Sequence, residues 1–196
     1  RAVCRGRVAS RVVLPAGVWA LLPAMYEAQR AAFFGRSTKV GQFGRDLRHT
    51  TLPPAAHLRV KGRLFISISS MFPLPHNHLQ SDFTSREDLI DAVIAAQYIP
   101  TWTYPGLCIH RRMVCIDGGV TNNLPALCEE SLRVGLDLDD VDSWNADLVP
   151  SQPLARINTF VPADEANLLR MLQCGKEDIK RWLDTPRGRA FAGKIG

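Results

Sequence analysis

The chain has no apolar run of the ~18–20 residues needed to span a bilayer. The nearest approach, residues 12–25, is interrupted by Pro15 and Pro23. It also fails as a secretory signal, since no clear small-residue cleavage pattern follows. Its five cysteines (Cys4, Cys108, Cys115, Cys128, Cys174) are an odd count with no Cys-x-x-Cys. That excludes a zinc ribbon and a disulfide framework, and fits reduced thiols in a cytosolic setting. There is no internal repeat and no low-complexity tract. Aromatic residues make up only 8% and do not interleave with basic ones, so no nucleic-acid partner is expected. The acidic run Asp137, Asp139, Asp140, Asp142, Asp147 lacks the sixth-position glycine and twelfth-position glutamate of an EF-hand. His76 and His78 stand two apart without a third ligand. No metal site is expected.

What is present describes one globular domain, or most of one: 196 residues, 46% hydrophobic and 22% charged. The formal charge of +5 is unevenly spread. Residues 1–45 carry eight basic side chains against Glu27, a net +7, and the remainder is −2. Arg1, Arg5, Arg7 and Arg11 read as a solvated end, with an anionic surface as the alternative partner. A first residue that is arginine, not methionine, implies a processed chain or a piece of a longer protein.

Apolar positions at Val18, Leu21, Leu22, Met25 and Ala32 predict a helix within residues 18–34. Residues 38–50 read as a short polar helix or loop. Residues 64–69, Leu-Phe-Ile-Ser-Ile-Ser, predict a strand with Leu64, Ile66 and Ile68 on one face and Phe65, Ser67 and Ser69 on the other. Residues 74–82 read as a loop. Thr84 and Ser85, with Glu87 and Asp88 three residues on, predict a capped helix closed by Pro100. Residues 107–109 and 113–116 predict a hairpin with His110, Arg111 and Arg112 at its tip. Residues 135–147 read as an acidic loop and 156–161 as a strand. Two helices, 164–172 and 177–183, are predicted with Gly175 between them. Alternating strands and helices make the class α/β.

Asp117 is the acid that draws notice. It ends an apolar strand (Val114, Cys115, Ile116) and precedes Gly118 and Gly119. Such a carboxylate leaves the sheet at a fixed place, and glycines permit a sharp turn and close approach. In α/β folds the carboxyl ends of strands are where sites collect. Read locally, Asp-Gly is also an ordinary turn signal without chemistry.

Four pieces in order change that balance. They are Leu52-Pro53-Pro54-Ala55-Ala56-His57, then Gly62-Arg63-Leu64-Phe65-Ile66-Ser67-Ile68-Ser69. Next comes the helix from Phe83 through Ala92 and on to Pro100, and last Asp117-Gly118-Gly119-Val120-Thr121-Asn122-Asn123-Leu124-Pro125. Together they resemble the patatin-like phospholipase family, and within it the adiponutrin-type lipid acyl hydrolases. A softer similarity continues to about residue 184. The resemblance implies a three-layer α/β/α fold with a central, mainly parallel sheet, incomplete at its N-terminus. Charge and apolar spacing mark a basic, partly helical segment at 1–48; the resemblance implies the C-terminal part of a patatin-like domain at 49–185, with a tail at 186–196.

The resemblance further implies a serine–aspartate dyad, with Asp117 as its acid and Gly118 and Gly119 shaping its turn. Asn123 and Pro125 support that turn, and Asn122 stands where family members often carry an acid. The chemistry implied is acyl transfer through an acyl-serine, with an oxyanion loop and no cofactor. The substrate is a neutral glycerolipid or phospholipid (triacylglycerol lipase or phospholipase activity). The location implied is cytoplasmic, peripheral on lipid droplets or membranes. One departure matters. None of the ten serines has glycine at both −2 and +2, so the Gly-x-Ser-x-Gly elbow is not found, and no glycine-rich oxyanion loop precedes residue 50. Ser67 and Ser69 read as packing or hydrogen-bonding residues. The alternative reading is a catalytically inactive lipid-surface or scaffold module, or a truncated fragment. Trp102 and Tyr104 are candidates to border an acyl site.

Overall fold

The computed structural model describes residues 45–46, 49, 52–100, 103, 106–129, 131–135, 145–153 and 163–195. The chain divides into two compact units, Arg1–Asn123 and Leu124–Gly196. The expected helix within 18–34, the strand at 156–161, most of the 135–147 loop, and Trp102 and Tyr104 lie outside the described residues.

In the first unit, Pro53 and Pro54 lead into a short helix, α1 (Ala56–Val60), followed by strands β1 (Ile66–Ser70) and β2 (His76–Gln80). Helix α2 (Arg86–Ala95) comes next, then β3 (Cys108–His110) and β4 (Met113–Asp117). The α/β class holds. The four strands form one sheet in the order β2-β1-β4-β3. Every pairing is antiparallel, so the mainly parallel sheet is not what the described strands build. For two of the three pairings the reason is covalent: β1–β2 and β3–β4 are hairpins with short loops, which cannot join parallel neighbours. β2 also corrects the loop expected at 74–82. Its sequence, His-Asn-His-Leu-Gln, has little strand propensity. It becomes a strand because it pairs with β1 from Ile66↔Gln80 to Ser70↔His76.

Alternation along β1 assigns its faces. Ile66 and Ile68 point to the core with Cys115 of β4, and α2 covers them with Leu89, Ala92 and Ala95, joined by Ala56 and Phe83. Truncating a side chain as buried as Leu89 costs about 2–5 kcal/mol. Helix α2 begins where the caps predict. The Ser85 hydroxyl accepts from the Asp88 amide at 3.0 Å, and the Asp88 carboxylate accepts from the Thr84 amide at 2.8 Å. The opposite face of the sheet carries Ser67 and Ser69, whose hydroxyls hold the turn that follows Asp117.

The second unit holds α3 (Glu165–Leu183) and α4 (Pro186–Ile195). Two helices separated at Gly175 were expected; one continuous helix is found. A helical glycine costs about 1 kcal/mol relative to alanine, too little to break a nineteen-residue helix. Asp164 caps the helix through the Asn167 amide at 2.7 Å. Residues 186–195, within the expected tail, are helical, with Pro186 at the first position, where its missing N–H is harmless. Gly188 lets α4 approach α3: a Cβ there would lie 2.1 Å from the Trp182 carbonyl oxygen. Trp182 and Phe191 then meet edge to face at 5.6 Å. No described helix is long and apolar enough to cross a membrane.

Candidate active site

β4 delivers Asp117 to the point where the chain leaves the sheet. Its amide donates to the Tyr98 carbonyl at 2.8 Å, and the Gly118 amide donates to the Ala96 carbonyl at 3.2 Å. The turn after α2 therefore grips the backbone of Asp117 and Gly118. Beyond it, Gly118–Val120 forms one 3₁₀ turn, which the Asp117 side chain caps: its Oδ1 accepts from the Gly119 amide at 2.7 Å. The carboxylate is half-buried and held in one orientation.

Both glycines are required by close approach, not by an unusual φ. A Cβ on Gly118 would stand 2.0 Å from the Ser67 carbonyl oxygen, a main-chain atom that cannot yield. At Gly119 a Cβ would stand 2.9 Å from Asp117 Oδ1 and 3.0 Å from Asn123 Oδ1. The second glycine thus leaves room for the carboxylate itself, with the Asn123 amide on its other side.

Beneath the turn lies a polar network. Ser69 is fully buried, and its hydroxyl lies within hydrogen-bonding distance of the Asp117 carbonyl and of Thr121 Oγ1, both at 2.7 Å. The Thr121 amide donates back to Ser69 Oγ at 3.2 Å. Asn77 of β2 donates to Ser67 Oγ at 2.8 Å and to Thr121 Oγ1 at 3.1 Å. Ser67 donates to the Asn122 carbonyl at 3.2 Å. Buried hydroxyls and amides in low dielectric stabilise only when they are all partnered. These side chains partner one another across β1, β2 and the turn.

The sequence-predicted residues Asp117, Gly118, Gly119 and Asn123 are brought together. Ser67 and Ser69 hold the turn through main-chain carbonyls, as hydrogen-bonding residues do. Ser85 caps α2, Ser131 accepts from the Leu127 and Cys128 amides, and Ser151 accepts from Arg181. Asn77 and Thr121 were missed as parts of the site. Their signal was the Ser67/Ser69 face of an otherwise apolar strand, which demands polar partners.

A second charged cluster braces the other end of α2. Burial alone would raise the Asp88 carboxyl, but hydrogen bonds from Arg111 and Thr84 outweigh it and bring it down to about 2. Burial lowers His110, whose Nε2 lies 2.8 Å from Gln80 Oε1. Cys108 and Cys115 sit opposite each other in the β3–β4 register. Burial, then the neighbouring Cys115, raises Cys108 to about 11, and burial raises Cys115. Neither is a ready nucleophile at neutral pH. Among the described residues no three His, Cys, Asp or Glu side chains gather as metal ligands.

Three comparisons bear on the chain. It is 30% identical over 177 residues to patatin-like phospholipase domain-containing protein 4 of Homo sapiens, a match over 80% of this chain and 70% of that protein. It is 30% identical over 100 residues to 1-acylglycerol-3-phosphate O-acyltransferase PNPLA3 of Homo sapiens, covering 50% of this chain and 20% of that one. It is 38% identical over 86 residues to patatin-like phospholipase domain-containing protein 5 of Homo sapiens, over 42% and 19%. The chain thus spans about a fifth of the length of the last two. No family model matches it, and no solved structure does.

Proposed function

Because this chain belongs to the patatin-like phospholipase family, we propose that it carries the acid half of an acyl-transfer site, with Asp117 as the proton acceptor of a serine–aspartate dyad. The supporting observation is the turn itself: a half-buried carboxylate at a strand end, oriented by the Gly119 amide, in a turn whose main-chain carbonyl accepts from Ser69 of β1.

In this reading a serine hydroxyl attacks the ester carbonyl and its proton passes to the Asp117 carboxylate. The tetrahedral intermediate collapses to an acyl-serine, and the departing alcohol takes the proton. Water, or a lipid alcohol as the name of one relative describes, then takes the acyl group. The substrate is a neutral glycerolipid or phospholipid, met at a lipid-droplet or membrane surface from the cytoplasmic side. The dyad calls for no cofactor. Residues 49–185 are the patatin-like portion of a three-layer α/β/α domain whose central sheet is mainly parallel. The nucleophile is not among these 196 residues, since no serine has an elbow's glycines.

That same observation favours a second reading, a lipid-surface or scaffold module that keeps the fold without the chemistry. The deciding experiment treats the 196-residue chain with a fluorophosphonate probe and reads adducts by mass spectrometry. The proposal expects none. A single labelled serine would overturn the statement that the nucleophile lies elsewhere.

A further inference from the structure

Two exposed features leave the same end of the sheet. β1 runs past Ser70 into the loop 71–75, Met-Phe-Pro-Leu-Pro, and the Met71 amide donates to the Val114 carbonyl at 2.9 Å. The loop therefore starts level with the beginning of β4, one strand spacing away, about 4.8 Å. β4 itself follows directly on the hairpin tip Arg111-Arg112. Within the loop, Phe72 is 76% and Leu74 74% exposed. Single exposed apolar residues are ordinary, but two adjoining prongs beside a basic tip are a pattern.

The tip is costly to the fold. Arg111 and Arg112 have φ of 47° and 66°. A two-residue hairpin turn of that hand favours Asn-Gly, and any other residue is strained there. Arg111 is held by Asp88 at 2.6 Å and Asp82 at 3.4 Å, whereas Arg112 is exposed. Residues 71–78 and 107–116 contain no acid. Pro73 and Pro75 narrow the loop's freedom before it meets a partner, which lowers the ordering cost.

We propose that this end of the sheet docks on an anionic lipid surface, with Phe72 and Leu74 inserted among acyl chains and Arg112 on head-group phosphate. Two prongs and one cation are too small for a stable protein interface, which buries about 800 Å² on each partner. They suit a surface that offers apolar depth and negative charge together. The proposal rests on the reading of a lipid substrate, yet vesicle binding is measured without turnover, so it stands or falls separately from the dyad.

The test is co-sedimentation of the full 196-residue chain with phosphatidylcholine vesicles, with and without phosphatidylserine, at low and high salt. High salt suppresses the contribution of the basic residues 1–45. Phe72→Ser/Leu74→Ser should lower partitioning about tenfold or more at both salts. Arg112→Asn should lower it roughly fivefold, on phosphatidylserine vesicles at low salt only. Because asparagine suits that φ, the same variant should melt at or above the parent temperature, which a merely structural arginine would not predict. Should the double variant melt early, Leu74→Asn alone decides. Parent-like binding by the prong variant and by Arg112→Asn would overturn the proposal. So would a fall in oligomeric mass by light scattering in the prong variant with vesicle binding unchanged, which would make the loop a self-association contact.

Discussion

The Ser69 hydroxyl lies 2.7 Å from the main-chain carbonyl of Asp117, tying a fully buried residue of β1 to the acid at the end of β4. The same oxygen receives the Thr121 amide, so one small side chain serves both ends of the turn. Removing it strands buried polar groups, and each costs about 1–3 kcal/mol. Ser69→Ala should therefore destabilise the first unit by about 2 kcal/mol in urea unfolding. A loss below a few tenths of a kcal/mol would mean that the network contributes nothing.

The glycine pair should respond unequally. Gly118→Ala drives a methyl into the main chain of Ser67, and should cost about 3 kcal/mol or prevent folding. Gly119→Ala meets two side-chain oxygens that can shift, so it should cost less while displacing the Asp117 carboxylate. Equal thermal shifts for the two variants would contradict the packing described.

Acid should loosen the protein through Asp88. Its carboxyl falls from the ordinary 3.8 to about 2, so its folded value lies below its unfolded one. A group shifted that way stabilises fully above about pH 4 and loses its contribution as pH falls toward 2. Asp88→Asn should remove about 2 kcal/mol at neutral pH, and the difference from the parent should shrink across that window. Asp178 in α3 shows the same direction: burial would raise it, but hydrogen bonds from Ser151, Cys174 and Arg181 bring it to about 2. A pH-independent difference for Asp88→Asn would show that the Arg111–Asp88 pair is not what holds the tip.

Gly175→Ala tests the continuity of α3. Nothing lies within 4 Å of a Cβ at that position. Alanine should stabilise the helix by about 1 kcal/mol, seen as a higher melting temperature. Destabilisation would restore the break at Gly175 that the sequence suggested.

The sequence announced its elements where side chains alone decide them. The Ile66/Ile68 alternation predicted the buried face of β1, and Ser85 and Asp88 the start of α2. The hairpin with its basic tip was legible too, although His110, expected at the tip, is the buried last residue of β3. It failed where the partner decides. His76–Gln80 has a polar, ambiguous composition and becomes a strand only on meeting β1, and a single glycine at 175 costs too little to interrupt a nineteen-residue helix. At the site, Asp117, Gly118 and Gly119 were legible because turn chemistry is local. Asn77 and Thr121 were not, since they reach Ser67 and Ser69 across 10 and 52 residues of sequence.

The central claim is that Asp117 is the proton acceptor of the dyad. It is tested by acyl-ester hydrolysis in a polypeptide that carries a Gly-x-Ser-x-Gly elbow ahead of these residues, comparing the parent with Asp117→Asn. The account predicts a fall in kcat of at least about a thousandfold with melting behaviour unchanged. A near-parental rate in a folded Asp117→Asn protein would contradict it.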